Sequence, residues 1–300
     1  MVNACKSATP RPGIYEEPAA KDLIPGCGYI HPGNETAGPG YRGILAAMVY
    51  SIKDITRSKK HSLLLPPLYR AKELVMNNIA AFQGKELKWE TDDSLMGVFN
   101  DAALAVQCAI QIRQRFIQSQ AQLPEIVLKI GVSLIQPPAA EGNLFYEAIK
   151  LAHYLSLAVR DNGILISALA KNYCRKEQLL PGSTEVKWLT IKEERFLSSL
   201  MRIAEYRLAD QYFNLNSISS EICISRPQLY RKIIALTGRS PHHFMLDLRM
   251  NKATILLKQE KTKIAEIAYQ TGFSSPSYFT KCFSEKFGCT PSCFTKINAC

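Results

Sequence analysis

Two short segments near the C-terminal end hold the side chains best suited to chemistry, and that chemistry is recognition. Helical spacing over residues 226–235 puts Leu229, Ile233 and Ile234 on an inner face and leaves Arg226, Gln228, Tyr230 and Arg231 on the open side. Over residues 276–287 the same spacing buries Phe279 and Phe283 and leaves Ser277, Tyr278 and Lys281 outward. An outward arginine such as Arg231 has the planar, two-pronged donor set that pairs with guanine O6 and N7. Lys232, Arg239 and Lys286 are expected on phosphates, which orient a protein on a duplex without reading sequence.

Other chemistries find little support. The nine cysteines are scattered and none forms a Cys-x-x-Cys pair. A zinc site needs close-spaced ligand pairs, so free thiols in a reducing compartment are expected and no metal. There is no Gly-x-Gly-x-x-Gly or P-loop, and no Ser/His/Asp or Cys/His pairing with a supporting context. His242 and His243, after Pro241, read as surface residues at a helix start.

The two reading segments need scaffolds, and the local signals supply them. Asn214 caps a helix to about Ile222, Cys223 sits in a tight turn, and Ser225 caps the next helix with Pro227 in its first turn. The pattern returns: Thr262 precedes a helix over 263–271, Gly272 takes the turn, Ser275 caps and Pro276 opens a helix that Gly288 stops. Two helix-turn-helix units follow, about 214–235 and 262–287, joined by a helix over 241–257. Such a pair on one rigid body would enter successive major grooves on one face of a duplex.

Upstream the pattern differs. Residues 1–42 are rich in Pro and Gly and read as a loosely ordered leader. Strands are expected at 44–52, 86–91, 95–99, 126–134 and 163–167, and helices at 68–82, 101–116 and 146–159. Strands alternating with helices and including a hairpin indicate an α+β domain of ferredoxin-like type over 43–175. A connector is expected over 176–192, then an all-α domain over 193–298. With 300 residues two domains are the natural division. Of the formal net charge of +11, residues 191–300 carry +7, from 16 Lys and Arg against 9 Asp and Glu. A basic domain on a near-neutral body is the footprint of a polyanion binder. No apolar run is long enough to span a membrane and no signal peptide is evident, so the expected location is cytoplasmic.

Two families share these patterns. The segments SRPQLYRKIIALTGRSPHHFMLDLRMNKATILL and IAEIAYQTGFSSPSYFTKCFSEKFGCTPSCF resemble the DNA-binding domain of AraC/XylS transcription regulators, over about residues 195–297. The resemblance implies double-stranded DNA as partner, with Pro227, Tyr230 and Arg231 facing the groove and Arg231 the expected base reader. Residues 43–175 resemble the class III adenylate/guanylate cyclase homology domain, through GKELKWETDDSLMGVF, DAALAVQCAIQIRQRF, LKIGVSL and YEAIKLAHYLSLAVRDNGILIS.

Catalysis in that family needs two metal-bearing aspartates that clamp the triphosphate. The first position holds Ile52, with Asp54 two residues late; the second holds Asp93, behind Asp92 where a glycine is usual. The purine-selecting lysine falls on Trp89, unless a one-residue slip brings in Lys88, and the ribose-binding Asn and Arg are replaced by Lys150 and Tyr154. The domain is therefore expected to be inactive, with no catalytic residue and no cofactor. It is expected to serve homodimerisation, or the sensing of a small-molecule or nucleotide effector in a cleft lined by Lys88, Asp93 and Lys150. The alternative reading is an active cyclase controlled by the helical domain, and Ile52 argues against it.

Overall fold

In the computed structural model, described over residues 42–51, 61–88, 94–120, 126–135, 142–176, 186–259 and 262–298, the chain begins as strands and helices and ends as helices alone. β1 (Arg42–Ser51), α1 (His61–Ala81), β2 (Lys85–Leu87), β3 (Leu95–Phe99), α2 (Ala102–Gln118) and β4 (Ile126–Ile135) form a β-α-β-β-α-β run. α3 (Gly142–Ala158), β5 (Ile164–Ile166), α4 (Ala168–Lys176) and β6 (Val186–Trp188) extend it. The strands make one mixed sheet in the order β2-β3-β1-β4-β5-β6. Pairing is antiparallel from β2 to β4 and parallel from β4 to β6. Leu45 lies opposite Gly97 on one side and Val132 on the other.

All ten residues of β4, IVLKIGVSLI, are buried. That near-continuous apolar run is what a strand covered on both faces requires. Leu128, Ile130 and Val132 join Leu45, Ala47 and Val49 in a core closed by Val75 and Ile79 of α1, Ile112 and Phe116 of α2, and Ala170 and Cys174 of α4. α3 covers the opposite face and comes very close. A side chain at Gly131 would run into the Ala152 carbonyl and the Ser156 amide, so only glycine fits there. Asp101 starts α2 as its N-cap, accepting from the Ala103 amide at 2.8 Å.

The helical part comprises α5 (Ile191–Arg207), α6 (Leu215–Glu221), α7 (Arg226–Thr237), α8 (Pro241–Gln259), α9 (Ile264–Gln270), α10 (Pro276–Phe287) and α11 (Pro291–Asn298). A Thr190–Glu193 capping box starts α5. The change from mixed to all-helical structure falls near residue 190, but the apolar packing does not break there. Met48, Leu155, Leu157 and Leu165 share one buried cluster with Leu197, Leu200, Leu229, Ile233, Phe244 and Leu248. A separate cluster holds Met250, Leu257, Ile267, Phe273, Phe279 and Phe283.

Some expectations need correction. Part of the connector is regular structure, since α4 runs through Lys176 and β6 pairs with β5. α1 begins seven residues earlier than expected, at His61. Ile234, expected in the core, is 36% exposed. The leader up to residue 41 lies outside the described residues, as do Ile52, Asp54, Trp89, Asp92 and Asp93.

Candidate nucleic-acid interface

Two of these helices, α7 and α10, are built alike. Ser225 caps α7 in a reciprocal box with Gln228, and a proline stands in the first turn. Ser275 caps α10 by accepting from the Tyr278 amide at 3.3 Å, again with a proline in the first turn. Each helix is 12 residues long and each ends on a left-handed glycine, Gly238 at φ 72° and Gly288 at φ 67°. α6 precedes α7 across a turn in which Cys223 takes φ 57°, and α9 precedes α10 across a turn in which Gly272 takes φ 81°. α8 has 19 residues and connects the pairs; at 1.5 Å per residue it is roughly 28 Å long.

The inner faces are locked. Leu229, Ile233 and Leu236 of α7 are buried, as are Phe279, Cys282 and Phe283 of α10. Under α10 the rings form a continuous aromatic packing: Phe273–Phe279 at 5.3 Å, Phe279–Phe283 at 5.8 Å and Phe283–Phe294 at 5.5 Å between centroids. The outer faces are open. Arg226, Pro227, Gln228, Tyr230, Arg231 and Lys232 of α7 are exposed, and so are Ser277, Tyr278 and Lys281 of α10.

Several of these side chains already have partners. Gln228 accepts from the Ser225 amide at 3.2 Å as the second half of the capping box. Lys232 stands over the Phe196 ring at 5.1 Å. Lys281 lies 3.9 Å from Glu285, both well exposed, a contact of small energetic weight.

Arg239 and Lys286 are placed differently from the other cations. Both are tied to Asp247 of α8. Lys286 Nζ is 2.7 Å from one carboxylate oxygen and Arg239 Nη1 is 2.9 Å from the other. Arg239 also donates to Asp161 at 3.0 Å and to the Val159 carbonyl at 3.3 Å. Asp161 in turn accepts from Lys129 of β4 at 3.3 Å and from the Tyr50 hydroxyl of β1 at 3.2 Å. Tyr50, Lys129, Arg239, Asp247 and Lys286 line a cavity of about 10 Å³, room for about one water.

Burial works to raise the Asp247 carboxyl, but the charges of Lys286, Arg239 and Lys129 outweigh it and hold it below the usual carboxylate range. Burial lowers the Lys286 amine, against the pull of Asp247. Sequence reasoning missed Asp247, Asp161 and Tyr50. The available signal was Lys129 itself, a charge inside an otherwise apolar strand.

Of the expected cleft residues, Lys88 and Lys150 are described. Lys88 is exposed just after β2. Lys150 lies 3.3 Å from Glu205 of α5 and stands over the Tyr146 and Tyr154 rings. Tyr154 is buried, and burial together with the Glu205 carboxylate raises its hydroxyl far above the usual range. Asp93 lies outside the described residues. Among the described residues no helix is long and apolar enough to cross a membrane.

Comparison with known proteins gives a matching family, described as a helix-turn-helix domain, over residues 218–297. "Histidine kinase P4" of Formosa agariphila is 40% identical over 100 residues, 33% of this chain and 7% of that protein. "HTH-type transcriptional regulator MtrA" of Neisseria gonorrhoeae is 31% identical over 84 residues, 28% of each chain. A solved transcriptional regulator from Chromobacterium violaceum, described as AraC-type DNA-binding domain-containing, is 27% identical with a TM-score of 0.34, covering 36% of this chain and 96% of that one. An adenylate/guanylate cyclase/hydrolase from Silicibacter pomeroyi is 22% identical with a TM-score of 0.38, covering 46% and 81%. The chain spans less than half the length of the curated relatives it matches.

Proposed function

We propose that this chain, which carries an AraC-type helix-turn-helix domain at its C-terminal end, regulates transcription by binding double-stranded DNA through two helix-turn-helix units. The observation that carries the reading is the repeated construction of α7 and α10: a serine cap, a first-turn proline, 12 residues, a left-handed glycine, and a polar outer face over a locked core. The two caps are separated by the same interval as the two terminal glycines, so the chain builds one device twice. Relatives named as transcriptional regulators over this region support the same reading.

In this reading Arg231 and Tyr230 of α7 enter one major groove, with Arg226, Pro227 and Gln228 at its edge. Ser277, Tyr278 and Lys281 of α10 enter the next. Lys232 lies beside the groove-facing row and serves a phosphate. Arg239 and Lys286 have a different role, because their charges are directed at Asp247 and away from the outer face.

The sheet region, residues 43–175, is a cyclase-like module without catalysis. Its β-α-β-β-α-β order with strand neighbours β2-β3-β1-β4 supports a ferredoxin-like core. Its role is to pair two chains or to sense an effector, in a cytoplasmic regulator.

The test is selection of duplexes from a randomised pool by the full chain, followed by titration at several salt concentrations. An enriched bipartite sequence is expected, with affinity falling steeply as salt rises because Lys and Arg contacts release counterions. Failure to enrich any sequence overturns the reading.

A further inference from the structure

The five charged groups between the sheet and the helices alternate in sign along a line: Lys129, Asp161, Arg239, Asp247, Lys286. They come from five different places in the fold: β4, the loop after α3, the turn between α7 and α8, α8 itself, and the last turn of α10. Asp247 is the one member that touches both helix pairs. One of its oxygens takes the Lys286 ammonium and the other takes the Arg239 guanidinium, so each arm has its own acceptor. Lys286 also donates to the Asp247 carbonyl at 3.3 Å and to Asn251 Oδ1 at 3.4 Å, which leaves its head little freedom.

Resting on the DNA-binding reading, we propose that Asp247 is a positioning residue for recognition: it fixes the separation of α7 and α10, and Asp161 extends that tie to the sheet.

The geometry supports this in three ways. The apolar packing is split at this point, because α7 belongs to the cluster shared with the sheet and α10 to the separate C-terminal cluster. α8 carries residues of both clusters, Phe244 and Leu248 in one and Met250 and Leu257 in the other, and the Asp247 tie adds side-chain contacts that constrain how α7 and α10 sit about it. The tie acts at the ends of the reading helices, at the turn just past Gly238 and one residue before Phe287, and it leaves their outer faces open. Finally, ion pairs have directional and length requirements that apolar contacts lack, and in some proteins buried polar groups hold register even where they add little stability.

The experiment compares the full chain with Asp247→Asn, which keeps the side chain's shape and removes its charge, and with Lys286→Met, which removes one arm and leaves Asp247 paired with Arg239. Each protein selects duplexes from the same randomised pool, and affinity is measured on the wild-type consensus, on that consensus with one base pair inserted between the half-sites, and on a single half-site. Thermal unfolding is recorded for each. Both variants are expected to bind the consensus about tenfold more weakly, mid-range for coupled contacting residues, with single-half-site affinity within about twofold of wild type. Their selected pools broaden to accept the inserted spacing.

A general loss of folding would lower half-site and consensus binding alike, and that pattern overturns the proposal. So does an unchanged spacing preference in both variants. If Asp247→Asn does not fold, Lys286→Met decides. If the wild-type chain enriches no sequence, the DNA-binding reading itself fails and takes this inference with it; enrichment by wild type with unmoved variants defeats the positioning role alone.

Discussion

Lys129→Met should stabilise this protein at neutral pH. Lys129 sits in a strand buried along its whole length, with its side chain only 6% exposed. Burial brings its amine down to about 8, with Arg239 and Lys286 adding to the effect and Asp161 and Asp247 opposing it in part. In the unfolded chain the same amine titrates near 10.4. Below pH 8 both states carry the proton, and the folded state bears the full penalty of the buried charge. Between pH 8 and about 10.4 the unfolded state binds more protons, so stability rises with pH across that window.

The size follows from bringing the amine from its ordinary value down to about 8, which corresponds to roughly 3.5 kcal/mol as an upper bound. Methionine fills similar space without charge, and Asp161 keeps Arg239 and Tyr50 as partners. The variant should therefore be more stable by about 1–3 kcal/mol at pH 7. Urea unfolding of both proteins from pH 6.5 to 10.5 measures this, because the difference cancels every titration the two share. The gap should close as pH passes from 8 to 10.4. A destabilised variant at pH 7 with a gap that ignores pH would refute the argument that this ammonium is the surplus cation of the cluster.

Arg231→Ala should lose about 1–3 kcal/mol on the selected duplex and little on a scrambled one, read by titrating both. Phe283→Ala removes a fully buried ring that meets Phe279, Phe287 and Phe294, and should lower the unfolding free energy by about 3–5 kcal/mol in denaturant titration. Asn214→Ala removes the cap that accepts from the Asn216 amide at 2.8 Å, a loss of about 0.5–2 kcal/mol in the same assay. Gly131→Ala forces a methyl into the α3 backbone and should destabilise by about 1–3 kcal/mol, seen as a lowered melting temperature.

What could be read in advance divides by the range of the signal. α7 and α10 announce themselves within a few residues, by serine, proline and glycine at set offsets, and their observed bounds differ from the expected ones by two residues at most. β6 could not be read that way. It is three residues long and exists through parallel pairing with β5, as Ile164 does with Val186. Its partner is more than twenty residues away, and nothing local marks it. Ile234 misled for a related reason: helical period defines a stripe, but how wide a stripe is covered depends on what packs against it.

The charged residues show the same limit more sharply. Helical period says that Lys286 is on a polar face, and composition says that the region is basic. Neither says that α8 brings Asp247 within 2.7 Å. A phosphate-facing lysine and an ion-paired lysine look identical in sequence; only the tertiary placement of an acid separates them.

That placement bears on how the reading face works. The sheet grips α7 at its C-terminal end. Lys187 of β6 donates to the Ala235 carbonyl at 2.8 Å, and Arg160 packs against Gly238. Cations there complement the negative end of the helix dipole. At the other end Ser225 Oγ accepts from the Gln228 amide, Gln228 Oε1 accepts from the Ser225 amide, and Arg226 beside them is exposed. The positive end of the helix and exposed Arg226 thus lie together, and an anion is attracted to both. A regulator that held α7 by its N-terminal end would have to release it before DNA could approach. Held by the C-terminal end, the helix can stay docked on the sheet, so the docked arrangement is compatible with the proposed DNA binding.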